Sequence, residues 1–331
     1  MVLTPNNSVR ARVRQSAVIR EEGGLSVLTF HAMGTRCRVL LEEPSRNTAD
    51  GCFDHLLNWV ADFEAKYSRF LDTSLVSRIN AAAGKEWVSV DEETQRLLGL
   101  CGELFFFTRG SFDPTALPLI RLWNWKANPP QIPDDSAIAH ARELVGWNKV
   151  QLKPGAIFLP RAGMCLDFGG IGKEYAVDQA INVALQHGVE NVLVDFGQDI
   201  RVHGKPPGRP AWHVGLEDPK SPGSCWGSVA VTDHAVASSG DYLRHFVQGG
   251  RRYGHILDPR TGYPVNNGCL AVSVVAPTCT VAGILTTSAF ILGAQDGYHL
   301  INGYHGASGA ITTEQTRTIT PRFNEYLVQQ K

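Results

Sequence analysis

Residues 253–265 (YGHILDPRTGYPV) combine side chains and turn formers that could carry chemistry. His255 is the side chain type best suited to proton transfer near neutral pH. Asp258 precedes a proline, which favours an extended backbone at the Asp, and Gly262 allows the positive φ of a tight turn. The stretch therefore predicts a turn that holds His255 and Asp258 at a strand end, facing a ligand. A tight hairpin with a solvated histidine fits this stretch alone equally well.

Residues 166–178 (LDFGGIGKEYAVD) form a second candidate site, predicted as a strand end, a glycine turn and a helix start. Asp167 precedes the turn, and Gly169 and Gly170 allow a ligand to approach the backbone closely. The start of a helix favours negative charge, and Lys173 adds a positive charge one turn in. The pattern is typical of phosphate-binding turns without matching GxGxxG or a P-loop. A plain strand–turn–helix corner is the alternative.

Residues 110–125 (GSFDPTALPLIRLWNW) are predicted to form a proline-rich loop. Its bulky side chains could make an apolar wall for a planar ring, or they could simply pack in the core. The four residues in question are Pro118, Leu122, Trp123 and Trp125.

Two hydroxyl-bearing segments complete the candidates. Residues 237–242 (ASSGDY) offer hydroxyl donors for ligand oxygens, or form a polar turn. Thr286 and Thr287 lie in a helix predicted over 278–292, where buried threonine usually bonds to a carbonyl one turn earlier. No HExxH, GxSxG or EF-hand motif is present, so zinc and serine-nucleophile sites are disfavoured.

Composition bounds the class of protein. The chain has 331 residues, with 31 Lys and Arg against 32 Asp and Glu, which argues against a broad nucleic-acid interface. Seven cysteines without a CxxC pair indicate reduced thiols and a cytoplasmic location. No apolar run is long enough to span a membrane. Residues 1–25 carry four Arg early on and no secretory pattern, so they are predicted to be a basic, flexible arm.

Periodicity predicts a mixture of strands and helices without regular βα alternation, which indicates an α+β fold. Strands are expected over 26–33, 36–41, 191–195, 200–203, 212–216, 228–232 and 270–275, with a hairpin over 149–159. Helices are expected over 53–65, after Asp91, over 171–187 and over 278–292.

Seven of these blocks, taken in order, resemble one known family. The blocks are HAMGT (31–35), YSRF (67–70), FDPT (112–115), LDFGGIGK (166–173), ASSGDY (237–242), HILDPRTG (255–262) and the late helix 282–292. In order and spacing, from about residue 28 to 312, they resemble the ApbE family, the FAD:protein FMN transferases.

The resemblance implies a single ApbE-like, T-fold-related domain over 26–315, with mixed or antiparallel sheets and packed helices, followed by a C-terminal tail over 316–331. It implies an enzyme that binds FAD and, with Mg²⁺, cleaves its pyrophosphate. The FMN part then passes to a Thr or Ser hydroxyl of a partner protein, and AMP is released. A FAD pyrophosphatase giving FMN and AMP, and a non-catalytic FAD-binding protein, are the alternatives.

The resemblance also assigns roles by position. His255 matches the general base that deprotonates the acceptor hydroxyl, and Tyr67 matches a residue available to stack on the isoalloxazine. The implied cofactor contacts are Met33, Tyr67, Thr115, Ala116, Leu117, Asp167, Lys173, Ile256 and Leu257. The implied metal positions are Gly170, Gly283, Thr286 and Thr287.

At two positions this chain departs from the family pattern. The late helix of the family usually reads A-D-A-L-(S/A)-T, whereas residues 282–287 here read AGILTT, so the Asp that binds Mg²⁺ is replaced by Gly283. Glu174 stands where the family commonly has Gly. The loss of a charged ligand predicts weaker Mg²⁺ binding or the use of a different acidic ligand.

Overall fold

The computed structural model of the protein describes residues 5–42, 46–124, 127, 130–242 and 244–328. At its centre is a nine-stranded sheet in which every neighbouring pair is antiparallel. In spatial order the strands are β1 (Val18–Glu22), β2 (Leu25–Ala32), β3 (Thr35–Glu42), β7 (Asn191–Phe196), β8 (Asp199–His203), β11 (Ala235–Gly240), β14 (Cys269–Ala276), β15 (Ser308–Thr313) and β16 (Arg317–Ile319).

Three smaller antiparallel sheets surround this one. They are formed by β4 (Val88–Ser89), β5 (Gln151–Lys153) and β6 (Ala156–Phe158), by β9 (Trp212–Glu217) and β10 (Cys225–Val231), and by β12 (His245–Gln248) and β13 (Arg251–Gly254).

The helices of the described residues are α1 (Pro5–Gln15), α2 (Arg46–Tyr67), α3 (Leu75–Ala81), α4 (Glu92–Phe107), α5 (Leu117–Trp123), α6 (Asp135–Glu143), α7 (Gly172–Gln186), α8 (Cys279–Leu292) and α9 (Ala294–Gly303). Short 3₁₀ turns occupy Trp147–Lys149 and Pro321–Glu325. None of the helices within the described ranges combines the length and apolar character needed to cross a membrane.

The main sheet is covered on both faces because successive side chains of a strand point to opposite sides. On β2, Leu28 belongs to the large core, which also contains buried residues of α2, α4, α7 and α8. Its neighbour Val27 belongs to a second core together with Trp212 of β9 and Phe323 near the C-terminus. The sheet therefore separates a helical layer from the layer that contains β9 and β10.

Most of the predicted elements are confirmed. The α+β class and the antiparallel sheets are as expected, and most predicted strands and helices end within about two residues of those observed. Helix α2 begins at Arg46, seven residues before the predicted start at 53, and β10 begins at Cys225, three residues before 228. Asp91 caps α4, with its side chain accepting from the Thr94 amide. Thr278 caps α8, and Gly293 ends it with a φ of 85°.

The predicted flexible arm differs from the structure. Residues 5–15 form α1 and residues 18–22 form β1, while residues 1–4 lie outside the described residues. Val9 and Val13, four positions apart, are buried against the core. The arginines of α1 reach acidic residues of α2, as in the pairs Arg10–Asp62 at 2.5 Å and Arg12–Glu64 at 2.6 Å. Acidic side chains of α2, a helix that begins about thirty residues after α1 ends, thus pair with the arginines of α1.

The segment predicted as a C-terminal tail is also built into the fold. Residues 317–319 form β16, and the 3₁₀ turn that follows buries Phe323 completely, at 0% exposure. The Ala230 amide donates to the Tyr326 carbonyl at 2.8 Å, which ties this segment to β10. Residues 329–331 lie outside the described residues.

Two segments for which no helix or strand was predicted are regular elements. Part of the proline-rich loop is helix α5, and its aromatic residue Trp125 lies outside the described residues. Residues 237–242, interpreted as hydroxyl donors for a ligand or as a polar turn, are mostly strand β11, a central strand that pairs with β8 and β14. The small and polar side chains of β11 do not show the apolar alternation that predicts a strand. The segment is a strand because it pairs with a neighbouring strand on each side.

The carboxylate of Asp178 on α7 joins three elements. Its oxygens accept the amides of Cys279 and Thr280 at 2.8 and 2.9 Å, and the Thr280 hydroxyl at 2.6 Å. Arg201 of β8 donates to it at 2.9 Å. Asp178 is only 6% exposed, and it satisfies amides at the start of α8 that no helical carbonyl can reach.

Replacing Asp178 with Ala should therefore destabilise the protein by about 3–5 kcal/mol, since it leaves a buried helix start and an arginine without their partner. Urea denaturation measures this loss. Asp54→Ala is the matched control, because it removes a carboxylate from an exposed Arg14–Asp54 pair at 3.1 Å. We expect that control to cost about 0–1 kcal/mol. Equal losses in the two variants would contradict the anchoring role of Asp178.

Candidate functional site

The start of α7 meets the end of the main sheet. Lys173, in the first turn of α7, forms an ion pair with Asp199 at the start of β8. Asp199 is buried, at 6% exposure, while the Lys173 side chain is 27% exposed. No side chain caps α7 at Ile171, so the positive end of its dipole faces the turn 167–170. We call this turn and helix start, residues 167–173, the anion corner, since it is where the sequence predicts phosphate binding; that binding stays a prediction.

Met33 lies at the tip of the hairpin between β2 and β3. Its backbone has a φ of 51°, a left-handed conformation that is uncommon for residues other than glycine. Its amide donates to the Glu64 carboxylate of α2 at 2.9 Å, which supports the unusual turn. In the neighbouring β7–β8 turn, the Gly197 amide donates to the Arg36 carbonyl at 3.1 Å. The two turns therefore lie together at one end of the sheet, near the start of β8.

The turn over 113–117 is organised by one buried carboxylate. Asp113 accepts the amide and hydroxyl of Thr115 at 2.8 and 2.6 Å, and the Trp147 amide at 3.2 Å. Burial raises the pKa of the Asp113 carboxyl, and these hydrogen bonds act against that rise. Thr115 and Leu117 are buried, at 0% and 1% exposure, and only Ala116 between them is partly exposed. A ligand could therefore meet this turn mainly through its backbone.

Asp167 links that turn to the start of α7. Its amide donates to the Pro114 carbonyl at 2.8 Å, and its carboxylate accepts from Arg69 at 2.6 Å and from the Gly169 amide at 3.1 Å. Burial raises the pKa of the Asp167 carboxyl, while the Arg69 guanidinium is the largest opposing cause. Arg69 was part of a recognised block but not a predicted site residue. Its pairing with a carboxylate 98 positions away leaves no signal in the sequence.

His255 follows β13 in a loop that packs against α5. Its amide donates to the Arg244 carbonyl at 3.0 Å, and its side chain lines a small cavity with Trp123, Phe246 and Leu257. Burial, followed by the charge of Arg244, lowers the pKa of His255 to about 4. The imidazole is therefore neutral at pH 7 and able to accept a proton.

The rest of this loop is held by contacts that fix its shape. The Trp123 indole donates to the Gly262 carbonyl at 2.7 Å, and the Asp258 carboxylate accepts from Arg260 at 2.8 Å. Gly262 has a φ of 83°, so the predicted turn requires a glycine there. Ile256 is buried in the main core and Leu257 packs against a smaller cluster that contains α5 residues, so both anchor the loop.

The structure places Tyr67 in the core. The residue is 5% exposed, its ring packs edge-on to Phe168 at 5.5 Å between centroids, and its hydroxyl lies 2.8 Å from the Thr94 hydroxyl. Burial raises the pKa of Tyr67 to about 12. With only 5% of the residue exposed, this arrangement leaves little of the ring surface open, and the flavin-stacking role stays a prediction. The ring instead backs the turn 167–170 from inside the protein.

Three hydroxyls meet where α8 crosses β11. The Ser239 hydroxyl lies 2.9 Å from both the Thr286 and Thr287 hydroxyls, and Thr286 also donates to the Gly283 carbonyl at 2.8 Å. Thr286 is buried and Thr287 is partly exposed. Ser239 is a second residue that was not predicted as part of the site, although its segment was singled out.

Gly283 and Gly170 lie in contrasting places. A Cβ atom at Gly283 would stand 2.5 Å from Cγ of Glu174, so this glycine is in close contact with the side chain of a neighbouring helix. Gly170 is exposed in the turn before α7, and a Cβ there would have only Phe112 within contact distance, at 4.0 Å.

A larger cleft of about 460 Å³ lies between α4, α6 and the turn at Arg260, which belongs to the His255 loop. Its walls include Arg109, Asp113 and Arg142 but none of the residues predicted for the site. The cleft adjoins the 113–117 turn through Asp113 and through Gly146, whose amide donates to the Thr115 hydroxyl at 2.7 Å. The contacts described above, rather than the volume of this cleft, define the candidate site.

Comparisons with known proteins agree with the arrangement of these segments. Residues 33–311 match the ApbE family. A FAD:protein FMN transferase of Treponema pallidum is 32% identical over 294 residues, which cover 83% of this chain and 80% of the relative. One from Vibrio cholerae is 30% identical over 74% of this chain and 73% of its own.

Solved structures show the same fold. The ApbE protein of Thermotoga maritima superposes with a TM-score of 0.83 at 30% identity, covering 92% of this chain and 100% of its own. The apo form of the flavinyl transferase ApbE from Pseudomonas stutzeri has a TM-score of 0.80 at 25% identity, covering 94% and 97%.

The placement of Tyr67 can be tested against a neighbouring aromatic residue. Tyr67→Ala should cost about 3–5 kcal/mol in unfolding free energy because it empties a core position. Phe70→Ala, three residues on, removes a ring that is 79% exposed and should cost no more than about 0.5 kcal/mol. Denaturant titration gives both values. A small loss for Tyr67→Ala would show that the ring does not pack in the core.

Proposed function

The chain belongs to the ApbE family and is a FAD:protein FMN transferase, and we propose that His255 is the base of its transfer reaction. The substrates of the proposal are FAD and a partner protein that presents a Thr or Ser acceptor hydroxyl. In the reaction, the hydroxyl oxygen attacks the FMN phosphorus of the FAD pyrophosphate. The new P–O bond replaces the bond to the AMP phosphate, AMP leaves, and the hydroxyl proton passes to the His255 ring.

The observation that carries the proposal is a continuous set of contacts between the base and the anion corner. His255 shares its small cavity with Trp123 of α5, and α5 follows directly from the 113–117 turn. The Pro114 carbonyl in that turn accepts the Asp167 amide, and the segment after Asp167 leads into α7. A pyrophosphate held at the start of α7 would thus lie on elements that also position the base.

Within this proposal the cofactor contacts are those expected from the sequence, with one exception. Lys173 supplies positive charge to the phosphates, and the backbone of Thr115, Ala116 and Leu117 lines the cofactor. The list of contacts is completed by Met33, Asp167, Ile256 and Leu257. The exception is Tyr67, which does not contact the cofactor in this proposal but packs against Phe168 from the core. The free thiols of all seven cysteines support a reducing, cytoplasmic setting for the reaction.

Mg²⁺ is a further part of the proposal. The described ranges contain no group of three or more His, Cys, Asp or Glu side chains that could hold a metal. The donors available are the hydroxyls of Ser239, Thr286 and Thr287 and the unpartnered carboxylate oxygen of Glu174. Hard oxygen donors of this kind fit Mg²⁺. When bound, the ion would neutralise negative charge that spreads over the phosphates during the displacement.

The direct test uses the purified protein, FAD, excess Mg²⁺ and a flavin-acceptor domain. We expect AMP release together with covalent flavin fluorescence in the acceptor. His255→Ala should keep FAD binding, measured by flavin fluorescence quenching, and lose transfer by about 100-fold or more, as is typical when a general base is removed. His213→Ala, which truncates an exposed histidine on β9, is the control and should transfer normally. Full transfer by His255→Ala would rule out its role as the base.

The pH dependence of transfer provides a second test. The pKa of His255, lowered to about 4, means that the base form is present above that pH and is lost as the pH falls through it. The acid limb of kcat/KM should therefore lie well below the ordinary histidine value of 6.5. Bound phosphates favour the protonated ring, so the acid limb of kcat should lie at higher pH than that of kcat/KM.

Arg244→Gln sharpens this test because the Arg244 charge is the second cause of the lowered pKa, after burial. The variant should move the acid limb of kcat/KM to higher pH without changing its slope. An acid limb at or above 6.5 in the unaltered protein would contradict the proposed environment of His255.

A further inference from the structure

One oxygen of the Glu174 carboxylate is buried without a hydrogen-bonding partner. Glu174 lies in the first turn of α7, is 9% exposed, and its Oε2 atom accepts no hydrogen bond from any described residue. A buried carboxylate in this situation is costly unless a cation or a proton compensates its charge. The fold therefore places a negative oxygen where something else must bind it.

The neighbouring basic side chains do not supply that partner. Lys173, the preceding residue, pairs with Asp199. Arg201 on the adjacent strand pairs with Asp178 at 2.9 Å. The Cys279 thiol, which also experiences the charge of Glu174, has its pKa raised, first by burial and then by Asp178 and Glu174. It therefore stays protonated and adds no competing charge.

Gly283 on α8 provides the space that the Glu174 side chain occupies. A Cβ atom at Gly283 would lie 2.5 Å from Cγ and 3.1 Å from Oε1 of Glu174. Real Cβ atoms do not approach other carbons so closely, since packed interiors leave no such overlap. The Glu174 side chain of α7 therefore packs against α8 only because residue 283 has no side chain.

Further oxygen donors lie along the same helix. Thr286 and Thr287 are three and four residues beyond Gly283, which places them on the same side of α8. Both hydroxyls meet the Ser239 hydroxyl at 2.9 Å. The Glu174 carboxylate, beside position 283, and the hydroxyl cluster are thus about one turn of α8 apart, and carboxylate and hydroxyl oxygens are donors suited to a hard divalent cation.

From this arrangement we infer that Glu174 supplies the anionic ligand of the divalent cation, reaching across from α7 to the place beside Gly283. The inference rests on the proposed function for what the cation does, and it adds which side chain supplies the anionic ligand. Sequence comparison of position 283 alone predicts a weakened metal site. The structure shows that the missing carboxylate at 283 is accompanied by an additional carboxylate in contact with that position.

The test measures metal binding directly, with Mn²⁺ as the probe and its electron paramagnetic resonance signal as the readout. The full-length protein is titrated in the presence of FAD and without any acceptor protein. We expect Glu174→Gln to weaken Mn²⁺ binding by at least about 10-fold, as loss of a metal-site group commonly does. Glu103→Gln, the same change at an exposed position on α4, serves as the control and should leave the affinity unchanged.

A swap of the two residues provides the stricter form of the test. Gly283→Asp alone should lower the melting temperature, because its Cβ would overlap with Glu174. Glu174→Gly alone should lose Mn²⁺ affinity. The double variant Glu174→Gly with Gly283→Asp should recover both the melting temperature and the Mn²⁺ affinity, a non-additive result that only direct contact between the two positions explains.

The outcomes separate this inference from the proposed function. An unchanged Mn²⁺ affinity in Glu174→Gln, or a double variant no better than its parents, would overturn the inference even if the enzyme transfers FMN. Mn²⁺ binding that depends on Glu174, in a protein that neither releases AMP nor labels the acceptor, would uphold the inference and overturn the proposed function.

Discussion

The contact between α7 and α8 through Asp178 is the constraint on which the rest of the site depends. Two amides and a hydroxyl at the start of α8 all donate to this one buried carboxylate, and Arg201 joins it from β8. The contact fixes how far α8 can slide along α7. Glu174 is four residues before Asp178, and Gly283 is four residues after Cys279, so the same register places them against each other. The oxygens proposed to bind a cation and the helix start proposed to bind phosphate are thereby held by one interaction.

Partial burial shifts the pKa values of the titratable groups in the candidate site. The same desolvation that raises the pKa of the Asp113 and Asp167 carboxyls lowers the pKa of His255. Two of these groups are compensated by specific neighbours, Thr115 for Asp113 and Arg69 for Asp167. His255 is kept neutral, the form that accepts a proton. The charged and titratable groups of the candidate site are therefore set by burial and by these specific partners.

Sequence reasoning failed where an element is defined by its neighbours rather than by its own residues. Helix α1 was expected to be a flexible arm because its arginines have no acids nearby in the chain, yet those acids lie on α2. Strand β11 covers a segment that was interpreted either as hydroxyl donors for a ligand or as a polar turn, and no strand was predicted there. Its place is decided by hydrogen bonding to β8 and β14 on either side.

By itself the sequence determined the α+β class, most strands and helices, the family and the turn that carries His255. These features are local, because periodicity, helix caps, and proline and glycine turns act within a few residues. Only the tertiary structure decided that Arg69 pairs with Asp167 and that the predicted tail completes the second core. It also decided that the Glu174 side chain contacts Gly283, 109 positions later in the chain, where the family resemblance implies a metal-binding Asp. A contact between two helices depends on their relative register, and no pattern within either helix encodes it.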